Sequence, residues 1–421
     1  MLLATKESRN SGVRMNENLI FDYLLFGAPQ DPQHGYEGMI DIETVKSWQA
    51  NEYKPNDVPV LVKELDRLMM EYAKKARDKT IKDARLGILL SGGIDSANTL
   101  KYLVEVFGSD NIHAYTFGGW GPNTTDVVYS KYTTEAFHIK NHNIVLPKND
   151  YEEETDLYVH SIRKLGIPLD YSNSIPYIYM KQYLLKDEIR YVFNGQNADT
   201  LSLAYPAPNY TYKTFKVFQN LFGTASFNFI GESFNPFWFI RRFKSCGTWK
   251  YVKMSKDYKT RISNFFKPVD SLRLDLQQKI IVMEEMFTEA RYSQNHQKKL
   301  MEIDKISAFN QYYDRAIIKF LLKLRPELRA KGNFNKYLLY ELAKNNDVPR
   351  EVREKPKKGL SYGHHHFLEN KLHLPIWEKM MSDKNLNQYV DVKRACEKEK
   401  DNFFLFDRIR SCYLFMNFAG T

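Results

Sequence analysis

Residues 86–96 read Leu-Gly-Ile-Leu-Leu-Ser-Gly-Gly-Ile-Asp-Ser, and this stretch decides the fold. The apolar run predicts a buried strand, the paired glycines predict a tight turn, and the apolar spacing of residues 97–106 predicts a helix that starts near Ser96. Glycine lets the backbone press its N–H groups against an anion, and a helix start favours negative charge. The stretch therefore predicts a phosphate cradle at the carboxyl end of a strand. The alternative is a tight turn with an ordinary helix cap.

An acidic side chain, Asp95, stands inside this predicted anion site. It fits beside a phosphate when a cation bridges the two, and Mg²⁺ is commonly held by one or two carboxylates plus phosphate oxygens. Ser91 and Ser96 add hydroxyl donors. The two usual competing motifs, Gly-x-x-x-x-Gly-Lys-Ser/Thr and Gly-x-Gly-x-x-Gly after a strand, do not occur in the sequence.

Composition limits the class of protein. The chain has 421 residues, 43% of them hydrophobic, which allows two domains or one with substantial additions. There is no long apolar run, residues 1–7 are charged too early for a signal peptide, and three scattered cysteines suit a reducing compartment. We therefore expect a cytoplasmic protein with no membrane partner. The net charge of +10 admits a nucleic acid, but the basic residues are spread along the chain, which favours a lysine-rich surface that attracts ATP.

Strands and helices are predicted to alternate through the first half of the chain. This alternation predicts an α/β fold with a parallel twisted sheet and flanking helices, in which ligands bind beyond the carboxyl ends of the strands. The second half is predicted to be mainly helical. The further predicted strands are residues 111–117, 141–146 and 189–193, and the predicted helices are residues 58–81, 126–138, 156–165, 270–289 and 315–324, with a break at residues 168–176.

A second glycine-bearing turn follows the fourth predicted strand. Residues 194–201 read Asn-Gly-Gln-Asn-Ala-Asp-Thr-Leu. Asp199 places a second carboxylate at a strand end, where it can face Asp95 across a nucleotide and supply the other protein ligand to Mg²⁺. The alternative for Asp199 alone is a helix N-cap.

These two turns resemble those of a known family. Ser-Gly-Gly-x-Asp-Ser is similar to the loop of the ATP pyrophosphatases, and Gly195, Ala198, Asp199 and Leu201 match the Ser-Gly-Glu-Gly-Ala-Asp-Glu-Leu turn of asparagine synthetases. Related enzymes are β-lactam synthetases and lasso-peptide cyclases. The resemblance extends from about Phe21 to the end, and its later motifs occur in the family's order at residues 324–329, 335–339, 348–352 and 355–360.

The resemblance implies an adenine nucleotide alpha-hydrolase-like (PP-loop) core and three segments. Residues 1–57 resemble the linker that follows a glutaminase domain, residues 58–205 the ATP-binding α/β core, and residues 206–421 a mainly helical part that completes the synthetase site. Leu2 stands where a glutaminase has its nucleophilic cysteine. We therefore expect no glutaminase in this chain, and ammonia could come from a separate glutaminase subunit.

The implied chemistry is amide formation with ATP and Mg²⁺. A substrate carboxylate attacks the α phosphate, pyrophosphate leaves, and ammonia or a substrate amine then displaces AMP. The residues implied for catalysis are Asp95, Asp199, Gln196 and Lys357, the last in place of the lysine that faces the leaving pyrophosphate; Asp95 and Asp199 are the implied metal ligands. The residues implied for nucleotide binding are Leu90, Ser91, Gly92, Gly93, Asp95, Ser96, Phe117, Asn194 and Gly195.

Three departures from the family concern the acyl substrate. Gln196 replaces a glutamate, Thr200 replaces an acid, and residues 307–311 lack the family's aspartate. Because a glutamine side chain cannot accept a proton as a base, free aspartate is a doubtful substrate. The carboxylate could belong to another small molecule or to a peptide. Separately, the consecutive residues His364, His365 and His366 lack the helical spacing of a metal pair and predict a surface loop.

Three alternatives stay open. A tRNA-modifying adenylating enzyme shares the first loop and would suit the positive charge, but it does not require the later motifs. A non-catalytic nucleotide-binding partner of a biosynthetic complex would bind ATP without releasing pyrophosphate. An inactive paralogue is the third alternative.

Overall fold

The computed structural model describes residues 16–30, 40–49, 52, 54–119, 123–148, 150–202, 247–272, 274–288, 291, 294–331, 334–355 and 371–418. Its centre is a parallel sheet of five strands in the order β3-β2-β1-β4-β5. The expectation of a parallel sheet with flanking helices is confirmed. The strands are β1 (Leu86–Leu89), β2 (Ile112–Phe117), β3 (Asn141–Val145), β4 (Tyr191–Asn194) and β5 (Ser307–Asn310).

Strand β1 lies in the middle of the sheet. Leu86 pairs with Ile112 of β2 on one side and with Tyr191 of β4 on the other. The strand order reverses direction at β1, so the crevice beyond the carboxyl ends of β1 and β4 is where such a sheet binds ligands. β5 was not predicted; it pairs with β4 from Tyr191↔Ser307 to Asn194↔Asn310 and extends the sheet by one edge strand.

Helices cover both faces of this sheet and form most of the second half. In the first half they are α1 (Glu17–Phe26), α2 (Ile42–Ser47), α3 (Val58–Asp78), α4 (Ile94–Phe107), α5 (Thr125–Ala136), α6 (Tyr151–Leu165), α7 (Tyr171–Lys186) and α8 (Ala198–Leu201). In the second half they are α9 (Lys256–Asp270), α10 (Leu276–Phe287), α11 (Leu300–Glu302), α12 (Arg315–Leu322), α13 (Pro326–Arg329), α14 (Tyr337–Asn345), α15 (Arg350–Arg353), α16 (His373–Ser382), α17 (Leu386–Tyr389), α18 (Val392–Glu399) and α19 (Phe403–Phe418).

α4 begins at Ile94, within two residues of the predicted start near Ser96, so Asp95 lies in the first turn of the helix. Two other predicted boundaries are wrong in instructive ways. The expected break at residues 168–176 ends at Asp170, and Pro176 lies inside α7, where buried packing outweighs the loss of one backbone hydrogen bond. The helix expected over residues 270–289 begins at Leu276, because Asp275 forms a capping box with Gln278 there.

A short hairpin of β6 (Ala330–Lys331) and β7 (Phe334–Asn335) leads into α14. Lys336 is the N-cap residue of α14 and has φ 68° and ψ 41°, in the left-handed region. A lysine in this region is uncommon and costs backbone energy, so the surrounding structure must hold it there.

A buried ion pair joins α19, the last described helix, to the start of α7, and the same arginine also contacts α1, the first described helix. Arg408 of α19 contacts Asp170, the N-cap residue of α7, at 3.0 Å between Nε and Oδ1, and also donates to the carbonyl of Tyr23 in α1. The Tyr23 hydroxyl donates to Asp170 at 2.5 Å. Burial, followed by the Asp170 charge, raises the pKa of Tyr23 well above its usual range, so this hydroxyl keeps its proton. No helix in the described part of the chain is long and apolar enough to cross a membrane.

Candidate functional site

In the predicted phosphate loop, the Ser96 hydroxyl forms hydrogen bonds with the backbone of the loop itself. The Ser96 hydroxyl accepts from the Ser91 backbone N–H at 3.3 Å and donates to the Gly93 carbonyl at 3.1 Å. Gly92 has φ +65°, and a Cβ there would lie 2.7 Å from the backbone nitrogen of Ser130 in α5. Glycine is therefore required at position 92 both by the backbone conformation and by the close approach of α5.

The second loop, residues 194–199, packs directly against the backbone of the first loop. A Cβ at Gly195 would lie 2.7 Å from the Ser96 backbone nitrogen and 2.8 Å from the Asp95 carbonyl carbon. Asn197 has φ 74°, and its side chain donates to the Tyr312 carbonyl, just past β5, at 3.0 Å. The two loops thus form one surface at the carboxyl ends of β1 and β4.

Asp95 and Asp199 converge on a single ammonium group. The Lys336 Nζ contacts Asp199 Oδ1 at 2.6 Å and also contacts Asp95 Oδ2. The Lys336 side chain is 8% exposed and those of Asp95 and Asp199 are 17% and 26% exposed. Burial opposes the charge on Lys336, but the carboxylates of Asp199 and Asp95 outweigh it and raise its pKa above the usual value.

Lys336 was not predicted as a site residue. The signal that could have found it is its position in the Lys-x-Leu-Leu motif at residues 336–339, one of the ordered matches to the family. Nothing in its local pattern distinguishes it from a lysine at an ordinary helix start.

The carboxylates of Asp95 and Asp199 fit a metal ion whose other ligands are the phosphates of a bound nucleotide. Among the described residues there is no group of three or more His, Cys, Asp or Glu side chains that could hold a metal ion. Mg²⁺ is typically held by one or two carboxylates together with phosphates and water, so Asp95 and Asp199 could hold it with a nucleotide. Their role as metal ligands stays a prediction.

Gln196 lies in a neutral polar group beside the second loop. Its side-chain nitrogen donates to the Tyr177 hydroxyl at 2.5 Å, and Gln297 donates to the same oxygen at 2.8 Å. Gln297 comes from a π-helix, Gln294–Lys299, a local distortion that often occurs at functional sites. In the described part of the chain, the buried Gln196 Oε1 has no hydrogen-bond partner. This group can accept a hydrogen bond from an N–H but cannot remove a proton.

Lys355 contacts the predicted phosphate loop and the helix α5. Its Nζ donates to the Ser91 carbonyl at 2.8 Å and to Asp126 Oδ1, in the first turn of α5, at 2.6 Å. The Lys355 side chain is 8% exposed. Lys355 therefore connects the loop that follows β1 to the helix that follows β2, a connection that was not predicted.

The other predicted residues are placed as follows. Leu90 is buried at the end of β1 and donates its N–H to the Tyr115 carbonyl, while Phe117 ends β2. Asn194 ends β4, and its side chain accepts from the Gln196 N–H at 3.1 Å. Lys357 and the three histidines at 364–366 lie outside the described residues. The structure thus brings Ser91–Ser96, Asn194–Asp199 and Lys336 together, and it leaves Lys357 untested.

Comparisons with known proteins show the family of the chain. The sequence model of the family described as Asparagine synthase matches residues 73–402. A putative asparagine synthetase [glutamine-hydrolyzing] 2 from Methanocaldococcus jannaschii is 25% identical over 173 residues, which cover 37% of this chain and 33% of that protein. A probable asparagine synthetase [glutamine-hydrolyzing] from Acanthamoeba polyphaga mimivirus is 26% identical over 172 residues, 38% of this chain and 29% of that protein. The matched stretch thus spans about a third of each relative's length.

Among solved structures, the U34-tRNA thiolase NcsA from Methanococcus maripaludis aligns with a TM-score of 0.26 and 14% identity, over 72% of this chain and 90% of that chain.

Proposed function

The chain belongs to the asparagine synthase family, and we propose that it is an ATP-dependent carbon–nitrogen ligase that activates a carboxylate as its adenylate. The observation that carries this proposal is the convergence of Asp95 and Asp199 on one cationic group. Two carboxylates at neighbouring strand ends, beside a glycine-rich loop, suit a metal-bound triphosphate.

In the proposed reaction, an oxygen of the substrate carboxylate attacks the α phosphorus and the bond to the bridging oxygen breaks, releasing pyrophosphate. The loop Ser91–Ser96 orients the phosphate chain through backbone N–H groups, and the first turn of α4 adds positive potential. A Mg²⁺ ion held by Asp95 and Asp199 would reduce the charge repulsion between the phosphates and the incoming carboxylate. Lys357 would stabilise the leaving pyrophosphate.

In the second step the amine nitrogen attacks the acyl carbon and AMP leaves. Gln196 can orient the amine through its carbonyl oxygen, but another group must take the proton, because an amide is not a base. The nitrogen donor is ammonia from a glutaminase partner or an amine on the substrate. The neutral Gln196, Tyr177 and Gln297 group favours an acyl substrate other than free aspartate.

The decisive experiment is exchange between ATP and labelled pyrophosphate across a panel of amino acids, sugar acids and peptides with free carboxylates. We expect exchange that depends on the acid and falls by about 10² to 10³ in Asp95→Asn and in Asp199→Asn, since each removes a preorganised charge. The matched control is Asp66→Asn, a half-exposed carboxylate of α3 that contacts Tyr102 away from the loops.

The other outcomes separate the alternatives. ATP binding with no exchange for any acid would favour a non-catalytic nucleotide-binding partner. Exchange that requires tRNA, or tRNA binding that weakens steeply with salt, would favour the tRNA-modifying class.

A further inference from the structure

Lys336 occupies the point where the two acidic loops face each other. Its Nζ lies 2.6 Å from Asp199 Oδ1 and is also in contact with Asp95 Oδ2. One positive charge therefore bridges two negative charges that come from different loops. A divalent ion held by the same pair would compete with this ammonium group, because both cations are stabilised by the same two carboxylate charges.

The position of Lys336 is built into the fold. Its backbone is held in the left-handed region, with φ 68°, and its N–H donates to the Arg329 carbonyl at 2.7 Å. Arg329 in turn donates to the carbonyl of Leu201, at the end of the second loop, at 2.8 Å. The chain thus accepts an unfavourable backbone conformation at the residue whose ammonium bridges the carboxylates.

The helix that follows Lys336 is fixed against the helix that carries Asp95. Asn98 of α4 donates to the Leu339 carbonyl of α14 at 3.3 Å, and Asn346, just past α14, donates to Asn98 at 3.2 Å. Because α4 and α14 are joined in this way, the Lys336 backbone is held near Asp95. A change of partner by the ammonium group would therefore come from rotation of the flexible four-carbon side chain and not from a change in the fold.

A free metal ion and a metal-bound triphosphate differ in what they offer Lys336. A free ion would take the two carboxylates and leave the ammonium buried without an anion, which is unfavourable. A metal-bound triphosphate brings its own negative charge, to which the ammonium can move. Binding of the metal and binding of the nucleotide then favour each other by linkage.

We propose that Lys336 is an internal cation that excludes free divalent metal from Asp95 and Asp199 and transfers to the phosphate chain when a metal-bound nucleotide arrives. This inference rests on the proposed function, because it takes the metal and the triphosphate as the ligands. Lys336 is then a positioning residue, because it lets the metal bind only together with the nucleotide.

The experiment measures Mn²⁺ binding to the full chain by electron paramagnetic resonance, with and without an ATP analogue whose α–β bridge is a methylene. In the wild type we expect Mn²⁺ to bind tightly only with the analogue. In Lys336→Met, which keeps an unbranched side chain one atom shorter and removes the charge, we expect Mn²⁺ affinity without nucleotide to rise about tenfold or more. Lys336→Arg keeps the charge, and we expect it to keep free Mn²⁺ out.

The matched control is Lys181→Met. The Lys181 side chain, in α7, is 9% exposed, close to the 8% of Lys336, and its Nζ contacts Asp304 Oδ2 at 2.6 Å, a carboxylate that is not one of the paired carboxylates. We expect no gain in nucleotide-free Mn²⁺ affinity in this variant.

Two results would overturn the inference: wild-type chain that binds Mn²⁺ equally well with and without the analogue, or a folded Lys336→Met chain with no gain. The wild-type arm decides even when the variant does not fold. Failure of the proposed ligase function gives a different result, since pyrophosphate exchange would then be absent for every acid while the Mn²⁺ measurements kept their expected pattern.

Discussion

Gly195 shows how tightly the two loops of the site depend on single atoms. Its α-carbon faces the backbone of Asp95 and Ser96 so closely that a methyl group would lie 2.7 Å from a backbone nitrogen. These backbone atoms cannot rotate away from an added methyl group, as the end of a side chain could. The close packing of the two loops therefore requires the absence of a side chain at position 195.

Replacing Gly195 with alanine should separate the loops. We expect Gly195→Ala to lower the free energy of unfolding by about 1–3 kcal/mol, as overpacking does, and to abolish most pyrophosphate exchange. Urea unfolding without nucleotide measures the first effect. The control is Gly93→Ala, where the added methyl would meet only the Ser91 Oγ at 3.5 Å and the backbone has φ −102°. Equal loss of stability in both variants would contradict this explanation.

Individual site residues differed in how readily the sequence revealed them. Asp95 and Asp199 could be predicted because each follows an apolar strand and stands in a glycine-bearing turn, so its position along the sheet edge was clear. Lys336 was missed because its partner Asp95 is 241 residues away. Gln297 was missed because a π-helix leaves no recognisable spacing in the sequence.

At the scale of elements, Lys355 joins the loop after β1 to α5. A charge-assisted hydrogen bond of this kind contributes about 1.5–3 kcal/mol, and here it acts on the backbone of the predicted phosphate loop. We expect Lys355→Met to weaken nucleotide affinity about tenfold to a hundredfold, measured by calorimetry with the methylene analogue.

The control for Lys355 is Arg350→Met, which removes a cation five residues earlier. Arg350 pairs with Glu354 at 2.9 Å, but its side chain is 76% exposed, so its pairing contributes little to stability. Nucleotide affinity should be unchanged in this variant. A similar loss in both variants would mean that general positive charge attracts the nucleotide, and Lys355 would then have no special role.

Elements were predictable where one physical signal dominated. β1, β2 and β4 are largely apolar and buried, whereas β3 is apolar only at its last two residues, and all four were found with ends within about two residues. β5 reads Ser-Ala-Phe-Asn and lies at a partly exposed edge, so it lacks the apolar character of the central strands β1, β2 and β4. α7 was missed because Pro176 signals a break, whereas in the fold the buried side chains around it hold the helix together.

At the scale of the whole molecule, the buried pair Arg408–Asp170 connects the first and last described helices with α7. Both residues are nearly fully buried, at 5% and 6% exposure. Removing one partner leaves a buried charge, so we expect Arg408→Met to lower the free energy of unfolding by about 3–5 kcal/mol.

Urea unfolding tests this expectation. Adding Asp170→Asn to Arg408→Met should recover part of the loss, because the buried charge is then gone. Arg67→Met, which removes an exposed pair with Glu71 on α3, should change the free energy of unfolding little. A double variant less stable than the sum of the two single changes would contradict the explanation.

The three-segment division into residues 1–57, 58–205 and 206–421 stays a prediction.

The late position of Lys336 has a consequence for protein synthesis. Asp95 and Asp199 leave the ribosome well before Lys336, which follows Asp95 by 241 residues. During that interval the growing chain carries both acidic loops without this ammonium, and their repulsion disfavours a closed arrangement. A nascent chain released too early therefore lacks the cation that bridges the two carboxylates, and only translation past Lys336 supplies the charge that offsets their repulsion.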